Sequence, residues 1–328
     1  MKIGITQRGT DMNAPQKPAV AAAAMNLADI AGQYLSAYNG RDETRYQRIG
    51  AWVRLLGGKP IESITADDID AGMVTLASEP AKVYGGRDAD GNPIFRKKAG
   101  RRSGATLNRY LVALAALYAW ARRNRLVPRG FESPTKYVDK NPETRGRVRY
   151  LTDDERGRLL LACRESSWTR LYLLVLLALT TGARRGELLA LRWCDIDLDR
   201  GEAILHDTKN GDRRVLVLLP QALEELSRFA PKDAQTSAAL VFRSRLRPSK
   251  PYATEQAFRD ALDLAGIKNF RFHDCRHTAA SYMAQHGASL LEIADTLGHR
   301  QLRMVQRYAH LNTDSRRRLM ARVFEGKL

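Results

Sequence analysis

Three things are scarce in this chain of 328 residues. Cysteine is the first: Cys163, Cys194 and Cys275 are the only three, odd in number, widely spaced and without a CxxC pair. That pattern excludes a disulfide framework and a cysteine-cluster zinc site, and it points to free thiols in a reducing, intracellular compartment. Long apolar runs are the second. The most apolar stretch, Leu171 to Thr181, is about half the length needed to cross a bilayer. The N-terminus carries Lys2, Arg8, Asp11 and Lys17 ahead of a short alanine run and has no apolar segment of the signal-peptide kind. The expectation is a soluble, cytoplasmic protein with no membrane partner. Acid is the third: 36 Asp and Glu stand against 54 Lys and Arg, a net charge of +18. Such an excess says nothing about fold but predicts attraction to polyanions. Missing as well is any G-x-x-x-x-G-K-[ST] phosphate loop, so no nucleotide requirement is expected.

The excess of base is concentrated. Between Arg96 and Arg149 fifteen basic residues face three acids, Glu132, Asp139 and Glu143. Arg96, Lys97, Lys98, Arg101, Arg102, Arg109, Arg122 and Arg123 are the candidate nucleic-acid contacts; a solvated helix face is the plainer alternative.

Along the chain, residues 1–24 show no period and read as a flexible tail. From Leu27 onward the spacing is helical, with Ile49, Trp52, Val53 and Leu56 on one face and Leu107, Leu111, Leu114, Tyr118 and Ala121 on another. Thr65-Ala-Asp-Asp68 has the form of a helix start, and turn signals at Gly85-Gly86 and Asp90-Gly-Asn-Pro93 could close a small hairpin. This gives a helical domain over residues 25–132, followed by a charged, proline-bearing linker at 133–149. A second domain, 150–328 with a basic C-terminal tail, opens on the capping box Thr152-Asp-Asp-Glu155. It continues with a buried helix over Trp168 to Thr180 stopped at Gly182, and resumes helical spacing at Glu187 to Trp193. Two β-prone runs, Glu202 to Asp207 and Arg213 to Leu219, flank Asn210-Gly211, a strong hairpin signal. Helices are then expected at Thr254 to Ala265, His273 to Gln285, from Ser289 to Leu297, and from Leu302 to His310. The fold class is therefore mainly α with a small antiparallel β-sheet.

Five segments of the second domain hold chemistry suited to a phosphodiester: Thr181-Gly-Ala-Arg-Arg-Gly-Glu187, Thr208-Lys209-Asn-Gly, His273-Asp-Cys-Arg276, Leu297-Gly-His299 and Arg307-Tyr308. Attack on a phosphodiester builds a second negative charge on its non-bridging oxygens. Guanidinium groups stay charged and present forked donors that match those oxygens, so Arg184 and Arg276 are the candidate clamp. His273 and His299 can donate or exchange protons near neutral pH. A phenol has an ordinary pKa of about 10, so Tyr308, as nucleophile, must lose its proton during attack. Glu187, one turn after Arg184, would orient a catalytic group. Each residue has a plain reading too. Arg185 could be the clamp in place of Arg184, Lys209 an ordinary turn residue, and Tyr308 core filler. His273 and His277 could pair on a metal, though no second ligand cluster accompanies them; His277 is better read as a packed or capping residue, and no metal is expected.

Taken in order, the five segments resemble the tyrosine recombinase (phage integrase) family, whose pattern is T-G-x-R-x-x-E, a hairpin lysine, H-x-x-R, L-G-H and a tyrosine nine residues later; Tyr308 stands nine after His299. The resemblance covers the whole second domain, and the basic helical domain before it matches the family's usual core-binding layout. It implies a site-specific recombinase or integrase that cleaves and rejoins double-stranded DNA through a 3′-phosphotyrosyl intermediate, with Lys209 as general acid and no cofactor. It further implies a clamp around duplex DNA, a homo-oligomer, usually a tetramer on paired sites, nucleoid association, and accessory DNA-bending or directionality proteins. The first 24 residues look too short for the arm-site domain that many phage integrases carry. A type IB topoisomerase, a catalytically silent DNA-binding regulator and a metal-dependent nuclease are the competing readings.

Overall fold

The computed structural model describes residues 25–40, 42–87, 93–143, 149–206 and 213–325, with the backbone alone for 81–87, 93–99, 312–316, 318 and 319. The chain divides into two compact units, residues 1–145 and 146–328.

The first unit is built from α1 (Leu27–Ser36), α2 (Thr44–Leu56), α3 (Ala66–Ser78), strands β1 (Pro80–Arg87) and β2 (Pro93–Arg101), and α4 (Gly104–Arg123). Its core is the set the spacing anticipates: Ile49 and Trp52 from α2 and Leu107, Leu111, Leu114, Tyr118 and Ala121 from α4 are all buried. The Trp52 indole N–H donates to the Tyr110 carbonyl at 2.9 Å, so a large buried ring keeps its one polar group satisfied. Thr65 forms a reciprocal capping box with Asp68 at the start of α3. β1 and β2 pair antiparallel, as the turn signals suggest.

The stretch after α4 is more than a connector. Pro134 and Val138 are buried in the first unit, and the Asn108 side chain accepts from the Asn141 amide at 2.8 Å while donating to the Asn141 carbonyl at 2.9 Å. Residues 134–143 therefore pack on this unit, and the linker expected at 133–149 is packed over its first ten residues or so. The absence of an apolar period hid this, because side-chain to backbone bonds do the anchoring.

The second unit comprises α5 (Asp153–Arg164), α6 (Leu171–Thr181), α7 (Arg185–Ala190), strands β3 (Ile196–Asp197), β4 (Glu202–Leu205) and β5 (Arg214–Val217), α8 (Pro220–Phe229), α9 (Glu255–Leu264), α10 (Asp274–Gln285), α11 (Leu290–Leu297) and α12 (Thr313–Phe324). The three strands form one antiparallel sheet in the order β3-β4-β5. α6 is buried along nearly its whole circumference, and α5, α7, α8 and α10 pack around it. Each such leucine contributes on the order of 1.5–3 kcal/mol of apolar burial, so α6 is the post on which the unit is assembled. It ends at Gly182, which adopts φ +61°, a left-handed conformation that costs glycine little.

One expectation is corrected here. Leu302 to His310 is not one α-helix: it forms two 3₁₀ segments, Leu302–Met304 and Gln306–Asn312. Val305 and Tyr308, three residues apart, are both buried, and a 3₁₀ turn is the geometry that eclipses residues at that interval. The basic C-terminal tail contains the helix α12, Thr313–Phe324. Among the described residues, no helix is long and apolar enough to cross a membrane.

Candidate active site

The second unit brings six of the sequence-derived residues together: Arg184, Glu187, His273, Arg276, His299 and Tyr308. Arg184 is the N-cap of α7, and Glu187 closes back on it. The Glu187 Oε2 accepts from the Arg184 amide at 2.9 Å, and Oε1 accepts from Arg184 Nη1 at 2.6 Å. The carboxylate side chain is 5% exposed, so its attraction for the guanidinium is little screened. Arg185 points elsewhere and pairs with Glu255 at 2.6 Å on the surface, which leaves Arg184 as the arginine of this motif that faces the site.

Arg276 is carried on the first turn of α10 and is 3% exposed. Its Nη1 donates to the Gly182 carbonyl at 2.7 Å, and its Nη2 donates to the Leu297 carbonyl at 2.7 Å and meets His299 Nε2 at 2.7 Å. One guanidinium thus ties the end of α6, the end of α11 and the L-G-H turn together. Burial, together with the charges of Arg184 and Arg214, draws its pKa down to about 10, so it remains a cation at neutral pH.

The histidines divide by environment. His299 is lowered to about 4 by burial and by the surrounding arginines, and is neutral at pH 7. Because Nε2 faces an Arg276 donor, the ring proton is assigned to Nδ1, a buried atom without a hydrogen-bond partner among the described residues. His273 keeps solvent access at the start of α10, yet partial packing and the Arg276 charge hold its pKa below the ordinary value. His277, read from sequence as a packed or capping residue, is neutral too, lowered to about 4 mainly by burial. Its Nδ1 lies in a short hydrogen bond with the Tyr308 hydroxyl.

Tyr308 is 2% exposed and sits among Ala280, Ala284, Ile293, Ala294, Leu297 and Val305. Burial pushes its pKa up, while Arg307 and Arg276 pull it down; Arg276 is thus near enough to act on the phenol without bonding to it. The phenol is therefore stored beside the guanidinium cluster, bonded to His277.

Arg214 was missed in the sequence, although a signal existed. It opens β5, where Arg214, Val215, Leu216 and Val217 alternate, so it shares a face with the buried Leu216. A charged residue on an inward face demands partners. They are Glu187 Oε2 at 2.9 Å and the Thr296 carbonyl at 2.9 Å.

Lys209 lies outside the described residues, as do the side chains of Arg96, Lys97 and Lys98 on β2. Arg101, Arg109, Arg122 and Arg123 are exposed. Arg102 is not: its donors go to Glu79 and to the Leu76 carbonyl, which fastens β2 to α3.

The phage integrase family model matches residues 149–315, half of the chain, and spans every one of these motifs. The chain belongs to the phage integrase family. A shufflon-specific DNA recombinase of Escherichia coli is 34% identical over 229 residues, covering 67% of this chain but 56% of that protein, so the chain matches little more than half of that relative's length. The integrase of Salmonella phage P22 is 28% identical over 286 residues, 80% of this chain and 70% of that protein. Among solved structures, a lambda integrase dimer bound to a COC′ core site superposes with a TM-score of 0.62 at 21% identity, over 88% of this chain and 97% of that one. At that identity the likeness is one of fold, and the fold is the family's: helices with a small antiparallel sheet.

Proposed function

We propose that this family member is a site-specific DNA recombinase whose nucleophile is Tyr308. The observation that carries the reading is the convergence of Arg184, Arg276 and His299 beside a stored phenol. Two guanidiniums beside a neutral imidazole make a cationic cluster suited to the non-bridging oxygens of one phosphate. In the reaction the Tyr308 oxygen bonds to phosphorus, the bond to the 5′ oxygen breaks, and the phenolic proton leaves as the departing oxygen gains one. His273 is the exposed group at the site able to exchange that proton, and Lys209 is the proposed donor to the 5′ oxygen. The 3′-phosphotyrosyl bond retains the energy of the broken phosphodiester, so a second 5′-hydroxyl reverses the step without a nucleotide or metal.

Attack requires Tyr308 to leave His277, and the 3₁₀ segment Gln306–Asn312 is where the backbone can adjust. The proposed partners are double-stranded DNA and further copies of this chain, a tetramer on paired sites, with accessory DNA-bending proteins. The helical domain at 25–132, with exposed Arg101, Arg109, Arg122 and Arg123, supplies phosphate contacts. The lambda integrase neighbour, a dimer on DNA, and the recombinase names of the relatives support this reading over a topoisomerase or a silent regulator.

The test is incubation of wild type and Tyr308→Phe with a randomised pool of nicked duplex oligonucleotides, followed by denaturing separation. A covalent protein–DNA band is expected from wild type alone, undiminished by a chelator. A band from Tyr308→Phe, or one abolished by the chelator, would overturn the reading. Strand transfer between two duplexes then separates recombination from swivelling of one nick.

A further inference from the structure

Outside the motif residues, one charged side chain is built into the site from both sides. Arg214 has a side chain 10% exposed, and no family motif invoked above includes it. Its Nη2 donates to Glu187 Oε2, the same oxygen that receives the Arg184 amide. Its Nη1 donates to the Thr296 carbonyl in the last turn of α11. There the guanidinium complements the negative end of the helix. It also packs against the turn that presents His299. Gly298 has φ +66°, and a Cβ at that position would come within 3.0 Å of Arg214 Nη1 and 3.2 Å of Arg214 Cδ. Glycine at 298, which the left-handed φ also favours, leaves room for Arg214.

We propose that Arg214 is a positioning residue that keeps Arg184 available to the scissile phosphate and fixes the turn bearing His299. This rests on the recombinase reading above. Arg184 and Arg214 compete for Glu187. A buried carboxylate needs its charge compensated. With Arg214 in place, Glu187 divides itself: Oε1 orients one Arg184 nitrogen, and Oε2 is occupied by Arg214 and the Arg184 amide. Among the described residues the remaining Arg184 side-chain donors meet no acceptor, which leaves them for phosphate oxygens. Without Arg214, Glu187 is compensated by Arg184 alone, and a carboxylate beside a guanidinium draws it into the two-pronged pair that both groups favour. Arg184 would then turn towards Glu187 and away from substrate. The Thr296 carbonyl would lose its donor in the same event, loosening the His299 turn. A lysine keeps the charge but has no planar fork to span both partners.

The experiment uses the full chain and a nicked duplex recovered from the randomised pool by wild type. Rates of covalent adduct formation at saturating DNA, DNA affinity and thermal midpoints are measured for Arg214→Gln, Arg214→Lys, Glu187→Gln and the Arg214→Gln/Glu187→Gln pair. Arg214→Gln should slow adduct formation about 100-fold and change affinity by no more than about threefold. Arg214→Lys should fold normally and recover part of the rate. The double variant should be no slower than the slower single one, because both act through Arg184. A wild-type rate in Arg214→Gln overturns the proposal, as does strict additivity with Glu187→Gln. So does a loss that only tracks the thermal midpoint, with Arg214→Lys folded and fully active. If wild type itself gives no adduct, the recombinase reading fails first, and the two failures are told apart.

Discussion

Burial turns two histidines of this site into uncharged groups, and that has a consequence for pH. His277 and His299 both fall from an ordinary value of 6.5 to about 4. Between those limits the unfolded chain binds protons that the folded chain refuses, so stability is complete above about 6.5 and is lost as pH falls towards 4. Thermal midpoints should decline across that window, and His277→Gln should flatten the decline. An unchanged slope in His277→Gln would show that its ring is not held neutral by the fold. Neutral His277 also explains the phenol's storage. A neutral phenol and a neutral imidazole share one hydrogen bond whose direction follows the ring tautomer, burial favours both uncharged forms, and the pair needs no counter-ion where it sits.

At the level of elements, the end of α6 is where stability and chemistry share one residue. Gly182 takes a left-handed φ of +61°, its carbonyl receives Arg276, and an added Cβ would collide with the Leu297 side chain. Gly182→Ala should therefore cost about 1–3 kcal/mol of stability through backbone strain. It should also slow adduct formation, since Arg276 loses its seat; calorimetry and the adduct assay check the two effects separately. Much of this architecture was legible in the residues. Capping boxes at Thr152 and Ser289 are short-range devices, readable three residues at a time, and both form with Glu155 and Glu292. The Asn210-Gly211 signal correctly anticipated that β4 and β5 pair, although the turn itself lies outside the described residues. What was not legible depended on distant partners. Arg214 looks like one of many surface bases until Glu187 and Thr296 are brought to it. α12 is rich in arginine, and Met320, Val323 and Phe324 on it are exposed. The 3₁₀ geometry under Tyr308 follows from how Val305 and Tyr308 are buried against α10 and α11, which local spacing does not encode.

For the molecule as a whole, the proposed function assigns the encounter with DNA to the overall charge and the reaction to the buried cluster. A net charge of +18 predicts binding that weakens steeply with salt, by a slope proportional to the number of phosphates neutralised. Replacing exposed Arg109, Arg122 and Arg123 by alanine should weaken binding to all sequences alike and reduce the salt slope by about one unit for each phosphate contact removed. The rate at saturating DNA should stay at the wild-type level. A changed rate with an unchanged slope would mean that these residues do not meet the backbone. The central claim concerns a single bond, between the Tyr308 oxygen and a DNA phosphorus. Nuclease and protease digestion of the trapped adduct, followed by mass spectrometry, locates that bond directly. A nucleotide remnant on the peptide bearing Tyr308 is the predicted result, and a remnant on any other residue would contradict the account.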